Sequence, residues 1–238
     1  MLTKITTQKN LKFENEFLDK FIWKDLGTSK NYHEVWALQR ELRKNLLNET
    51  KSSNRKKVWV LTCSHSPTLT FGYRSQLENE LQDPKNSILN QGISVVQCER
   101  GGLATYHGPG QWMFYPIFHL PSWDLRVRDY VKILMEVTCQ TLRDFGVKDP
   151  KKGPPNGPGI WVGDAKIAAI GIHISKGVCI HGLCLNLWGE LDGFSLIHPC
   201  GQKNMAITHL SEVLGRRVSP DSLVHIWLAH FWNQLTRT

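Results

Sequence analysis

The sequence predicts an α/β or α+β fold built on a mixed sheet, and three observations predict it. Short apolar runs of strand length, rich in Val, Ile, Trp and Phe, lie at residues 58–62, 93–96 and 112–118. Longer stretches at 32–47, 127–145 and 220–235 suit helices, the first two with their apolar residues near helical spacing. The two kinds of segment are mixed without a strict βαβ repeat, which argues against a purely parallel sheet.

Residues 1–21 are polar and mixed, and read as a loosely attached extension; residues 22–238 read as one catalytic-size domain. A first strand is expected at 22–26. The helix at 32–47 places Val35, Trp36, Leu38, Leu42 and Leu46 on a stripe, with Ser29 or Asn31 as its cap. In the helix at 127–145 the stripe is Tyr130, Val131, Leu134, Val137, Leu142 and Phe145, and Gly146 stands where a helix end favours a left-handed residue. Three Pro and three Gly between residues 151 and 159 predict a loop. Two strands follow at 166–174 and 178–187, close enough to form a hairpin through 175–177. A short helix begins near Thr208, and the last helix, 220–235, has Pro220 in its first turn and Ser219 as cap.

Composition narrows the function classes. The chain has 238 residues with 41% apolar, enough for a sizeable core. The opening residues lack the pattern of a secretory signal, and no run approaches the ~18 apolar residues of a membrane span. These features predict a cytoplasmic protein with no membrane partner. Cys63, Cys98, Cys139, Cys179, Cys184 and Cys200 include no C-x-x-C pair, so neither a structural zinc site nor a disulfide framework is expected. The net charge of +8 suits an acidic partner as well as it suits plain solubility. The basic residues are scattered and no nucleic-acid motif accompanies them. Monomer is the default expectation.

Three segments stand apart. Arg100-Gly101-Gly102-Leu103-Ala104-Thr105-Tyr106-His107-Gly108-Pro109-Gly110-Gln111 holds four glycines in twelve residues, which suits a loop wrapped around a ligand or a simple surface turn. Lys166 opens an otherwise apolar strand. By period two it shares a face with Ala168, Ile170 and Ile172, opposite Ile167, Ala169 and Gly171. A desolvated lysine trades protons more readily or pairs with a thiolate, whereas a strand-edge lysine snorkels to water. In His198-Pro199-Cys200-Gly201 the Pro and Gly present Cys200 on a tight turn, a placement for a nucleophile or for an inert buried thiol. The other five cysteines lie in or beside predicted elements and suit the inert role. Gly182 interrupts a strand beside His181, as happens where a ligand or another backbone comes close; a core histidine bonded to a carbonyl is the plainer reading.

Together these segments resemble the octanoyltransferases, or lipoyl(octanoyl) transferases, of lipoate biosynthesis. The matching residues are Arg100 to His107 with Gly108-Pro109-Gly110-Gln111 and Tyr115-Pro116; Gly159-Ile160-Trp161-Val162; Lys166-Ile167-Ala168-Ala169-Ile170-Gly171; His181-Gly182-Leu183 with Leu185-Asn186; and Pro199-Cys200-Gly201. Weaker agreement reaches Gln39, Ser64-His65-Ser66-Pro67 and Thr70-Phe71-Gly72. The resemblance covers roughly residues 22 to 215. It implies a mixed sheet flanked by helices, like the catalytic domain of biotin and lipoate protein ligases. It implies Cys200 as nucleophile, Lys166 as its activator, and acyl-binding segments at Arg100–His107, Ala169–Gly171 and His181–Leu183. Octanoyl–acyl carrier protein is the implied donor, through its phosphopantetheine thioester. Lipoyl domains of 2-oxoacid dehydrogenases and the glycine-cleavage H protein are the implied acceptors. Neither cofactor nor metal is implied. Three positions depart from the pattern: Ser64 stands where a Glu is usual, Tyr73 displaces the usual Arg to Arg74, and His209 replaces a Ser. The rival readings are an ATP-dependent lipoate–protein ligase on the same scaffold, a non-catalytic module binding carrier proteins or lipoyl domains, and a nucleic-acid binder suggested by charge alone.

Overall fold

The computed structural model describes residues 20–49, 56–82, 85–153, 158–201 and 205–237, with only the backbone at Glu78, Lys85, Asn86 and Cys200. The polar extension expected at 1–21 therefore lies almost wholly outside the described residues.

In chain order the elements are β1 (Phe21–Asp25), α1 (Tyr32–Asn48), β2 (Val58–Cys63), β3 (Thr68–Phe71), α2 (Leu77–Glu80), α3 (Lys85–Asn90), β4 (Ser94–Gln97), β5 (Thr105–His107), β6 (Gln111–Phe118), α4 (Val127–Asp144), β7 (Lys151–Lys152), β8 (Gly159–Val162), β9 (Ala165–Ser175), β10 (Val178–Asn186), α5 (Leu210–Leu214) and α6 (Pro220–Thr236). Among the described residues seven strands form one sheet in the order β1-β2-β6-β10-β9-β8-β7, and three form a smaller one, β4-β3-β5. β1–β2 and β3–β4 run parallel and the other pairs antiparallel, so both sheets are mixed.

The large sheet buries both faces. Val58, Val60, Phe114, Phe118, Leu183 and Leu185 point toward α4 and α6 and form the main core with Tyr130, Leu134, Trp227 and Phe231. The alternate residues, Leu61, Cys63, Met113, Tyr115, Ile117 and Cys184, point to the other face, where α1 contributes Val35, Leu42 and Leu46. The Trp227 indole lies 4.4 Å from the Phe114 ring and 5.0 Å from Phe231, centroid to centroid. Trp227→Ala would cost about 3–5 kcal/mol through lost burial and the cavity left behind.

Helix ends follow the residues that favour them. Asn31 Oδ1 accepts from His33 N at 2.9 Å and Glu34 N at 3.4 Å, making it, not Ser29, the cap of α1. The chain leaves α4 through Gly146 N to Arg143 O and Val147 N to Leu142 O. Phe145 caps that helix rather than belonging to it. Ser219 occupies the N-cap position of α6 but makes no capping bond with its side chain. Two expectations need correcting. The Pro/Gly-rich stretch at 151–159 is not all loop, because Lys151 and Lys152 pair with Trp161 and Ile160 and Gly159 already belongs to β8. Within the Gly-rich segment, Thr105, Tyr106 and His107 form β5, held by β3.

Candidate active site

A cavity of about 280 Å³ opens on the α1 face of the large sheet, between β6, β9 and β10 below and the small sheet with the Gly-rich loop above. The loop docks on the sheet through Gly101 N donating to Ile172 O at 2.9 Å. The approach is close: a Cβ on Gly171 would lie 3.0 Å from Gly101 O, a tight contact that glycine avoids. Arg100 is buried, and its guanidinium donates to Thr70 Oγ1 and to the carbonyls of Thr70 and Gly101, which ties the loop to β3.

Lys166 lies at one end of this cavity. It is 4% exposed, so it does not snorkel to bulk water. Its Nζ lies 4.9 Å from the centroid of the Trp161 ring, over the aromatic face. The period-two reading put Lys166 on the face of Ala168 and Ile170, and the structure corrects it. Ile160 pairs with Ala168 but Trp161 pairs with Lys166, so β9 carries one extra residue, Ile167, opposite that step. A bulge of this kind re-aims a side chain. Ile167 joins Ala168 and Ile170 in the main core, and Lys166 lines the cavity beside Ala169 and Gly171.

The segment after Cys200 runs along the same strand: Lys166 N donates to Ala206 O at 2.9 Å, and Thr208 N donates to Lys166 O at 3.0 Å. A buried relay fixes this corner. Gly108 N donates to Gln111 Oε1, Gln111 Nε2 to Asn186 Oδ1, and Asn186 Nδ2 to Thr208 O, each within 2.9 Å. Cys200 sits in a single 3₁₀ turn, Pro199–Gly201, closed by Gly201 N donating to His198 O. Pro199 lines a small second cavity together with Lys166, Met205 and Ile207. On the other side of the turn, a Cβ at Gly201 would lie 2.8 Å from Leu103 Cδ1 of the Gly-rich loop.

The opposite end of the main cavity is polar. His181 has a left-handed φ of 58° within β10. By the register of β6 with β10, where Leu183 faces Phe114, the residue opposite His181 is Pro116, which has no N–H to complete a pair. His181 N donates instead to Gln39 Oε1 at 2.8 Å. Cys179 and Leu183, of the same parity, point into the main core, whereas the His181 ring turns to the opposite face and meets Tyr32 and Trp36 of α1. Gly182 allows the strands to close: a Cβ there would lie 2.1 Å from Phe114 O. The close approach that a strand glycine suggests is thus to another backbone. Among the described residues the His181 ring bonds no carbonyl; its Nδ1 lies 3.4 Å from Tyr32 Oη.

Burial holds the histidines and tyrosines of this end uncharged. Desolvation pushes His65 down to about 4 and His181 down to about 3, with Arg100 adding to the latter. His107 falls well below the usual histidine range for the same reason, with the neighbouring His65 and Arg100 adding to it. Burial likewise raises the Tyr32 and Tyr115 phenols well above theirs. His65 bridges Tyr115 Oη at 2.8 Å and Lys30 O at 2.9 Å.

Of the residues expected to bind a ligand, Arg100 to Thr105, His107, Ala169 to Gly171 and His181 to Leu183 line the one cavity, and Lys166 lines it too. Tyr106 does not. It alternates to the far side of β5, where its ring meets Phe194 at 5.7 Å. Tyr32, Met113, Tyr115 and Cys184 also line the cavity though none was expected to bind a ligand, since apolar and aromatic residues in predicted elements read as core. Glu80 was missed as well. It is buried, its carboxylate accepts from Ala104 N and Ser75 Oγ, and its carbonyl accepts from His198 N at 2.8 Å. It therefore joins the Gly-rich loop to the Cys200 turn. His209, one departure from the resembled pattern, caps α5 with its ring, Nδ1 accepting from Glu212 N at 3.0 Å. Among the described residues no cluster of three or more His, Cys, Asp and Glu is arranged to hold a metal ion.

The family profile of the lipoyl protein ligase A/B catalytic domain matches residues 31–232. The octanoyltransferase of Syntrophobacter fumaroxidans is 42% identical over 176 residues, covering 74% of this chain and 75% of that one. That of Caldicellulosiruptor saccharolyticus is 36% identical over 195 residues, covering 82% and 80%. Among solved structures, a bipartite lipoate protein ligase from Thermoplasma acidophilum superposes with a TM-score of 0.70 at 18% identity, covering 91% of this chain and 83% of that one. The biotin protein ligase of Aquifex aeolicus gives 0.53 at 13% identity, covering 92% and 71%. At these identities the structural likeness establishes the fold.

Proposed function

The chain belongs to the lipoyl protein ligase A/B catalytic domain family, and from that premise we propose an octanoyltransferase that works through a thioester on Cys200. The observation that carries the reading is the seating of the Cys200 turn. Its neighbours reach Leu103 of the cavity loop on one side and share a small cavity with Lys166 on the other. The remaining cysteines support it by contrast. All five are buried free thiols, and burial pushes Cys179 up to about 12 and raises Cys63, Cys139 and Cys184, which keeps them protonated.

In the proposed cycle Lys166 takes the Cys200 proton or holds the thiolate as its ammonium partner. The thiolate attacks the thioester carbonyl of octanoyl–acyl carrier protein, with backbone amides of the Cys200 turn or the Gly-rich loop meeting the oxyanion. The carrier thiol leaves with a proton, and octanoyl-Cys200 remains. The acceptor's lysine amine then attacks, Lys166 receives its proton, and the Cys200 thiolate departs. The acceptors are lipoyl domains and the glycine-cleavage H protein. A net charge of +8 favours encounter with an acidic carrier. A thiol nucleophile works in a reducing compartment, and the reading assigns the cytoplasm.

The test is purified protein with octanoyl-carrier and a lipoyl domain, without nucleotide. We expect octanoylation of the acceptor lysine. The rival, ATP-dependent ligation, would show none until ATP and a free acid were added.

A further inference from the structure

Glu80 ends α2 with its side chain 5% exposed, and three donors converge on the carboxylate. Ala104 N and Ser75 Oγ donate to Oε2, at 2.5 Å and 3.1 Å, and Gln76 N donates to Oε1 at 3.2 Å. Ala104 belongs to the Gly-rich loop and lines the main cavity. Thr105, the next residue, lines both that cavity and the small one shared by Lys166 and Pro199. The backbone of Glu80 carries the other half of the site. His198 N donates to Glu80 O at 2.8 Å and Gln82 N to Leu196 O at 2.9 Å, an antiparallel bridge centred on Leu81 and Ile197. Gln82 Nε2 adds a bond to Ile197 O at 2.8 Å. The bridge ends where the Cys200 turn begins, because Gly201 N closes that turn on His198 O.

Two ties therefore run from the cavity loop to the Cys200 turn. One is the Leu103 side chain against Gly201, an apolar contact with little directional preference. The other is directional: Ala104 N to the Glu80 carboxylate, and His198 N to the Glu80 carbonyl. A carboxylate suits the place because its two oxygens only accept, and the three groups facing it donate. An amide there has one oxygen and turns its own N–H groups toward a donor. Resting on the reading of Cys200 as the nucleophile, we propose that Glu80 is a positioning residue that holds the Cys200 turn in register with the acyl-binding loop. It lines neither cavity, so it acts through the two segments it joins. An acyl chain seated along the loop then presents its carbonyl carbon to the turn. A longer chain makes more contacts with the loop, so its carbonyl depends on this register more than that of a short chain does.

Glu80→Gln keeps the side-chain volume and removes one acceptor. The full-length chain is incubated with octanoyl-carrier or butyryl-carrier, and initial rates of acyl-Cys200 formation are read by intact-protein mass spectrometry. We expect the octanoyl rate to fall about ten- to a hundredfold, the value of a buried bond to a charged acceptor. The butyryl rate falls less, so the octanoyl-to-butyryl ratio drops. Lost stability alone lowers both rates by one factor and leaves the ratio where it was. Gln82→Ala loosens only the turn side and shifts the ratio the same way by about two- to fivefold; it decides the matter where Glu80→Gln does not fold. An unchanged or raised ratio in the deciding variant, with the native adduct intact, overturns the proposal alone. No adduct on the native chain from either carrier, or one that persists in Cys200→Ser, removes the transferase reading and the proposal with it.

Discussion

At both ends of the cavity a polar side chain occupies a face that strand alternation denies it, and the two ends achieve this differently. Lys166 is turned by a bulge, in which Ile167 is an extra residue that β8 leaves unmatched. His181 is turned by its own backbone, a left-handed residue opposite a proline that offers no N–H. A bulge belongs to the pairing of two strands and survives many side-chain changes. A left-handed non-glycine residue is a local strain of about 1–3 kcal/mol and persists only while its surroundings over-determine it. Here Gln39 and Gly182 do so. The comparison teaches that the Lys166 end is set by register and the His181 end by packing.

That difference can be broken from either side. Inserting one alanine between Ile160 and Trp161 gives Ile167 a partner, restores simple alternation and drives Lys166 toward the main core. We expect transfer to be abolished and a buried, unpaired charge to cost about 3–5 kcal/mol in urea denaturation; retained activity would mean the bulge is not what aims the lysine. Lys166→Ala leaves the register alone, so transfer should slow about 10²- to 10⁴-fold without lowering the denaturation midpoint. At the other end, Gly182→Ala forces a methyl against Phe114 O, and stability should fall by about 1–3 kcal/mol. An unchanged urea midpoint would show that the strands can yield there.

Acid sharpens the comparison further. His65, His107 and His181 have folded-state values below the unfolded one, so the fold holds fewer protons than the unfolded chain as pH falls below about 6.5. Their neutral burial is fully tolerated above that value, and stability is lost as pH drops toward about 4, at up to about 1.4 kcal/mol per unit per histidine. Urea midpoints at pH 7 and pH 5 test it; equal midpoints would contradict a neutral histidine cluster. The smallest effect is Gln39→Ala, which leaves His181 N without its acceptor and should cost about 1 kcal/mol by the same measurement.

Much of this was legible beforehand, and the exceptions have physical causes. The helices were readable because Val35, Leu42 and Leu46, or Tyr130, Leu134 and Val137, recur on one face of a regular coil. The hairpin of β9 and β10 was readable from two apolar runs separated by Lys176 and Gly177, both with positive φ. β3 and β5 were not, since strands of four and three residues carry too little pattern, and β5 lies inside a Gly-rich string. The segments that line the cavity stood out by glycine content and by order along the chain. The facing of Lys166 did not, because the bulge depends on how Trp161 pairs across the sheet. Tyr32 and Tyr115 looked like core, and they are buried; only the fold reveals that they border a cavity.

The central claim is a covalent acyl group on one sulfur, and intact-protein mass spectrometry reads it directly. After incubation with octanoyl-carrier we expect a single octanoyl addition, released by hydroxylamine, absent in Cys200→Ser and slow to form in Lys166→Ala. The same addition persisting in Cys200→Ser would contradict the account.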